Sequence, residues 1–145
     1  MTSFKLATLE DVIQLRHQVL RKGRPIETAS FFEDQFKSTL HFGIFNEQNK
    51  IICCLTITPN FYKGIDAWQL RGMATDYEVQ GKGLGSLLVK QSIKFVQNEQ
   101  NKALMWCNAR ESAVRFYEKL GWHIDSERFD IEPIGPHFKM KVDLI

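Results

Sequence analysis

The chain lacks the marks of a specialised environment. No apolar run approaches the roughly 20 residues that a bilayer span requires, and the opening MTSFKLATLED has no apolar core of the secretory type. A membrane protein is thereby excluded, and the cytoplasm is the expected location. Cysteine is scarce: Cys53, Cys54 and Cys107 are an odd number, on apolar segments without metal-type spacing. A disulfide framework and a metal site are both set aside, and buried free thiols are expected, because a free cysteine behaves as a small hydrophobe. Excess charge is missing too. A formal net charge of +2 falls short of the clustered basic face that nucleic acid demands. Repeats, linkers and low-complexity stretches are absent. What remains is 145 residues, 43% hydrophobic, enough for one ordinary domain over residues 1–145 with a real core.

Taken in order, residues 4–7 read as a short strand. Thr8 stands three positions before Asp11, a capping box, and Val12, Ile13, Leu15, Val19 and Leu20 follow at helical spacing to about residue 20. Arg16, Arg21, Lys22 and Arg24 gather near the end of that helix, where positive charge either suits the helix dipole or meets an anionic substrate. Residues 25–38 read as loop plus a short helix; Phe31, Phe32 and Phe36 there either floor a pocket or pack on the core. Residues 41–45 and 51–58 form a hairpin across NEQNK, and 65–74 add a third antiparallel strand. A second long helix runs from 83 to about 100, with Leu84, Leu87, Leu88, Phe95 and Val96 inward and Lys90, Lys94 and Gln97 outward. Residues 103–107 are a strand. Asn108 then caps a helix, with Glu111 closing the box; Ala113, Phe116, Tyr117 and Leu120 face inward, and Gly121 stops it. Residues 122–129 and 137–144 close the chain as two strands about a turn at Pro133, Gly135 and Pro136.

The richest stretch is 70–89, LRGMATDYEVQGKGLGSLLV, where Gly81, Gly83 and Gly85 lead from a strand into a helix. The first N–H groups of a helix have no internal partners, and the helix dipole adds partial positive charge there. Glycines remove the Cβ atoms that would hold a phosphate off and accept the dihedrals that aim several N–H groups at one point. The local chemistry is that of a phosphate seat. A Walker loop needs a different spacing, and a dinucleotide fingerprint belongs early in a parallel unit and needs an acidic residue about 20 positions on; neither fits. A competing structural reading has the glycines only permitting close packing at the helix start.

Gln80-Gly81-Lys82-Gly83-Leu84-Gly85 resembles the Gln/Arg-x-x-Gly-x-Gly/Ala loop of the GNAT family of N-acetyltransferases. Residues 113–122, AVRFYEKLGW, are similar to that family's second signature, and the order of elements matches from end to end. The resemblance implies an α/β fold of the α+β type, with a mixed, mostly antiparallel sheet of about six to seven strands and about four helices. It implies acetyl-coenzyme A as cofactor. The pyrophosphate would lie on Gln80, Gly81, Lys82, Gly83, Leu84, Gly85 and Ser86; the pantetheine arm would pair with Met73, Ala74 and Thr75 on a bulged strand; Asn108 would stand near that arm. A backbone N–H at Met73 or Ala74 would polarise the carbonyl, and Tyr117 would protonate the departing sulfur. Gln69 stands where some members carry a glutamate base, which leaves a water relay to Glu27, Glu33, Asp34 or His41. Arg110, where the family often has asparagine, receives no role. The implied reaction is direct attack of a primary amine, of a small molecule or a protein, on the thioester in a ternary complex. The contrasting class is a coenzyme-A-binding sensor or interaction module with little turnover. Negative charge at Glu27, Glu33 and Asp34 and positive charge at Arg16, Arg21 and Arg24 give opposite hints about the acceptor. Family members are often dimers, so the assembly stays open between monomer and homodimer.

Overall fold

The computed structural model describes residues 1–99 and 102–145. One sheet of eight strands forms its frame, in the order β1 (Ser3–Leu6), β2 (Leu40–Phe45), β3 (Ile51–Pro59), β4 (Ala67–Thr75), β5 (Leu104–Arg110), β8 (Gly135–Asp143) and β6 (His123–Ile124), with β7 (Phe129–Ile131) also on β8. Every pairing is antiparallel except β4 with β5. The uninterrupted apolar run of β3 is that of a central strand, and all but its last residue are buried. Its side chains serve both faces: Cys53, Leu55 and Ile57 enter the larger core, and Cys54 the smaller one beneath α1 (Leu9–Leu20).

The capping box forms as expected: Asp11 N donates to Thr8 Oγ1 at 3.2 Å and Thr8 N to Asp11 Oδ2 at 3.0 Å. Helix α2 (Leu84–Glu99) turns Leu88, Val89, Ser92 and Val96 into the core, each aliphatic contributing roughly 1.5–3 kcal/mol. Leu87 was expected inward and is instead exposed, because that stripe rotates it to the flank. The expected end of α2 near Gln100 lies outside the described residues. Helix α3 (Val114–Lys119) is short, and Gly121 follows it with φ +90°, the left-handed stop.

Several expectations are corrected. The expected mixed, mostly antiparallel fold holds, with three α-helices and four short 3-10 turns among the described residues, but residues 25–38 carry two of these turns, Ile26–Ala29 and Phe32–Gln35, in place of a loop plus one short helix. The strand expected at 122–129 divides into β6 and β7, because Asp125 is drawn aside to Tyr62 Oη (2.7 Å) and Lys63 Nζ (3.1 Å). β4 starts two residues late because Tyr62 and Ile65 close a turn of their own. Asn108 does not cap a helix: β5 runs on to Arg110, paired residue for residue with β8, and Asn108 Oδ1 accepts from Lys139 Nζ at 3.0 Å. Glu111, the expected partner of that cap, pairs with Arg128 instead.

Arg16 was expected at a helix end or against a substrate. It is instead about 1% exposed, its guanidinium donating to Asp34 Oδ2 (2.8 Å) and Oδ1 (3.0 Å), to Ala29 O (3.0 Å) and to Thr56 Oγ1 (2.6 Å). Burial pushes the Asp34 carboxyl up, but the Arg16 hydrogen bonds, the Phe31 amide and the Arg16 charge outweigh it and hold the carboxyl below its ordinary range. A depressed folded-state value means stability that is present above the ordinary carboxylate range and is lost as pH falls through the folded value. Asp34→Ala leaves the buried guanidinium uncompensated and should cost about 3–5 kcal/mol in urea unfolding at pH 7. The difference between variant and wild type should shrink as pH falls below about 4; a loss under about 1 kcal/mol at pH 7 would contradict this role.

Candidate functional site

The site begins where two parallel strands separate. β4 and β5 keep register only from Ala67 opposite Leu104 to Gln69 opposite Trp106. Beyond Gln69, β4 retains β3 on one side and opens a wedge on the other. A bulge lies in this stretch: Thr56 faces Arg71 and Cys54 faces Ala74, so Gly72 and Met73 share one step of β3 and have no register partner. Gly72 has φ +62°, and a Cβ there would stand 2.6 Å from Arg16 Nε and 3.0 Å from Phe31. Only glycine fits above that buried arginine. This residue was not singled out from sequence, because the close approach comes from α1.

From the bulge, β4 runs to Thr75 and a 3-10 turn, Tyr77–Val79, then to the glycine loop. Gln80 Nε2 donates to Thr75 O at 3.0 Å, fastening the loop to the strand end, and Tyr77 Oη donates to Val19 O at 3.2 Å. Gly81 and Gly83 both have φ +79°, and a Cβ on either meets nothing within 4 Å. They keep open space open. Gly85 differs: its Cβ would lie 2.8 Å from Met73 Cε, so the packing reading holds for this one glycine. The bond from Leu87 N to Gly83 O (3.1 Å) starts the helical ladder, leaving the N–H groups of Leu84, Gly85 and Ser86 without helical acceptors.

The wedge holds two adjoining cavities. The first, about 760 Å³, lies between Ala74, Thr75 and the 80–86 loop. The second, about 410 Å³, reaches from Gln69 and Gly72 across to Asn108 and is roofed by Phe31, Ile131 and Ile134. Met73, Arg110 and Ala113 line both. Tyr117 lines the second cavity, buried to about 6% exposure, with its hydroxyl 3.9 Å from Met73 Sδ and its ring between Phe116 and Trp122. Burial first, then the neighbouring Cys107 thiol, pushes the phenol well above its ordinary value. It is protonated throughout the neutral range. Lys82, at the loop tip, is exposed and lines neither cavity.

None of the four expected base candidates lines either cavity. Asp34 is closed in its pair with Arg16, and Glu33 Oε1 accepts from Arg71 Nη1 at 2.6 Å. His41 is buried against Thr56 Oγ1 at 2.7 Å; burial lowers its basicity, the nearby Asp34 only partly offsetting this, and Glu27 is exposed. Gln69 Oε1 accepts from Asn60 Nδ2 at 2.9 Å, fixing the amide at the cavity wall. Of the clustered aromatics, Phe31 reaches the cavity while Phe32 and Phe36 are exposed.

A splayed parallel strand pair, a bulge, and a glycine loop at a helix start define the acyl-CoA N-acyltransferase fold. The chain belongs to the Acetyltransferase (GNAT) family, whose model matches residues 9–122. It is 33% identical over 143 residues to the uncharacterized N-acetyltransferase YitI of Bacillus subtilis (strain 168), covering 97% of this chain and 95% of that one. Among solved structures it is similar to an aminoglycoside 6'-N-acetyltransferase complexed with coenzyme A (TM-score 0.78, 14% identity, 99% and 97% of the two chains). It is likewise similar to an acyl-CoA N-acyltransferase from Pseudomonas aeruginosa (TM-score 0.76, 15% identity, 97% and 99%). At these identities the structures speak for the fold.

All three cysteines are free and buried, and burial pushes Cys54 and Cys107 up to about 12 and raises Cys53 as well. With so little thiolate, the native protein at pH 8 should give almost no reaction with Ellman's reagent, and all three thiols should react in guanidinium chloride. Prompt reaction of any thiol in the native state would contradict that burial.

Proposed function

We propose that the chain is an acetyl-coenzyme-A-dependent N-acetyltransferase, with residues 1–145 as a single catalytic domain acting on a primary amine in the cytoplasm. The observation that carries this reading is the continuity of the wedge. An open-edged, bulged β4 leads directly to a loop whose two outward glycines leave room for phosphate, and a protonated phenol lines the second cavity beside Met73, which lines both. The larger cavity fits coenzyme A on one testable ground: Gly81 and Gly83 line it, and a Cβ on either would project into open space that nothing beyond its chain neighbours approaches within 4 Å.

In this reading the Gly81, Gly83, Leu84, Gly85 and Ser86 amides hold the pyrophosphate, Gln80 braces the loop, and Lys82 adds charge outside it. Met73, Ala74 and Thr75 offer β4's open edge to the pantetheine arm, and Asn108 stands across the wedge from them. Acetyl-coenzyme A supplies an acyl carbon activated as a thioester. The Met73 N–H, without a register partner on β3 or β5, is the preorganised donor to a carbonyl oxygen. Tyr117 keeps its proton at neutral pH and can donate it to a leaving sulfur. No carboxylate or imidazole among the described residues lines the second cavity, which this reading assigns to the acceptor, so the amine proton would leave through solvent there.

Gly83→Val should weaken coenzyme A at least about a hundredfold in calorimetry, because a β-branched residue at φ +79° is strained and fills the seat. Unchanged affinity would move the site elsewhere. Tyr117→Phe should lower kcat by about a hundredfold or more while acetyl-coenzyme A affinity stays within about twofold. The rate is read by thiol release from acetyl-coenzyme A with a panel of amines. Cofactor binding without amine-dependent thiol release from any of them would favour the sensor or interaction module.

A further inference from the structure

The opposite charges that balance in the sequence do not balance in the acceptor cavity. Arg16 and Asp34 neutralise each other in the core, out of reach of solvent. Glu33 is spent on Arg71 Nη1 and does not line the cavity, and Glu27 lies at a separate apolar groove with Phe32 and Gln35. What faces the cavity is Arg21, Arg71 and Arg110, with no acidic side chain among the described residues that line it.

Two of these arginines have no anion of their own. Arg21 donates only to the carbonyls of Thr28 (3.3 Å) and Leu20 (3.4 Å), and no carboxylate pairs with Arg110 among the described residues. They stand close enough to repel: burial, then the charges of Arg24 and Arg110, make Arg21 less basic than an ordinary arginine. Unpaired guanidiniums converging on a partly dehydrated cavity are costly without a ligand and are matched in shape to a carboxylate or phosphate.

We infer that the acceptor is a small amine that itself carries an anionic group, a carboxylate or a phosphate, which the unpaired Arg21 and Arg110 bind while the amine points toward Met73 and Tyr117. The inference rests on the acetyltransferase reading above and adds the substrate class. A cavity of about 410 Å³ suits a molecule of amino-acid size. The same arginines disfavour polyamines and other polycations by direct repulsion. They also offer an answer to the missing base, since neighbouring positive charge lowers the pKa of an ammonium and raises its neutral fraction. An α-amino group, with a reference pKa of about 7.7–8.0, needs far less help than a lysine-type amine at about 10.4.

The test compares matched acceptors with the intact protein and acetyl-coenzyme A: α-amino acids against their carboxamides, O-phosphoethanolamine against ethanolamine, and spermidine. The expected result is a kcat/KM at least about tenfold higher for one anionic member over its neutral match, the two pairs telling carboxylate from phosphate. Arg21→Gln should erase that preference by raising KM for the anionic acceptor, and acetyl-coenzyme A affinity should hold, since Arg21 lines the acceptor cavity and not the larger one. Equal rates within the pairs, or spermidine as the best acceptor, would overturn the inference and leave the acetyltransferase reading standing. If no amine is turned over, calorimetry on the coenzyme A complex decides separately. Anionic amines that bind in wild type and not in Arg21→Gln would uphold the anion site while the enzyme reading fails; no such binding would overturn the site.

Discussion

A buried guanidinium is the constraint on which the rest of this structure depends. Arg16 sits on α1 with almost no exposure, and a charge so placed must be compensated by an opposite charge and acceptors or the fold gives way. Asp34 meets it with two oxygens, Ala29 with a carbonyl and Thr56 with a hydroxyl, so that one side chain joins α1, the 26–35 segment and β3. Its Nε has no partner and lies under Gly72, the residue at which β4 bulges. Phe31 covers the assembly, with Arg16 and Arg71 at 4.2 and 4.3 Å from its ring centre.

That arrangement bears on function through the backbone. The bulge frees Met73 from the ladder on β3, while the divergence from β5 frees the other edge of the strand. An open sheet edge would ordinarily invite another strand. Here it is enclosed in a wedge beside the two cavities, where the proposed donor arm would lie. Gly85 then packs Met73 against the start of α2, so the bulge and the phosphate seat are braced against each other.

Much of this was legible in the sequence because it is local. The Thr8–Asp11 box, the alternate glycines, Gly121 and the tyrosine helix are all written within a few residues of where they act. What stayed hidden is long-range. Arg16 looked like a helix-end cation because nothing in its neighbourhood announces Asp34, 18 residues on, or the Thr56 hydroxyl, 40 on. Asn108 looked like a cap because its local pattern is a capping box, but β8 claims β5 through Arg110 and the strand wins. The acceptor's charge could not be read for the same reason: acids and bases of equal number cancel on paper, and only pairing in space shows which are spent.

Amide hydrogen exchange with and without coenzyme A bears on the central claim most directly, because the claim is about particular backbone groups. The account predicts slowed exchange on two segments, residues 72–75 of β4 and 81–86 of the loop and first turn of α2, with little change in the apolar groove at residues 26–35. Protection confined to that groove, with both segments unchanged at saturating coenzyme A, would contradict it.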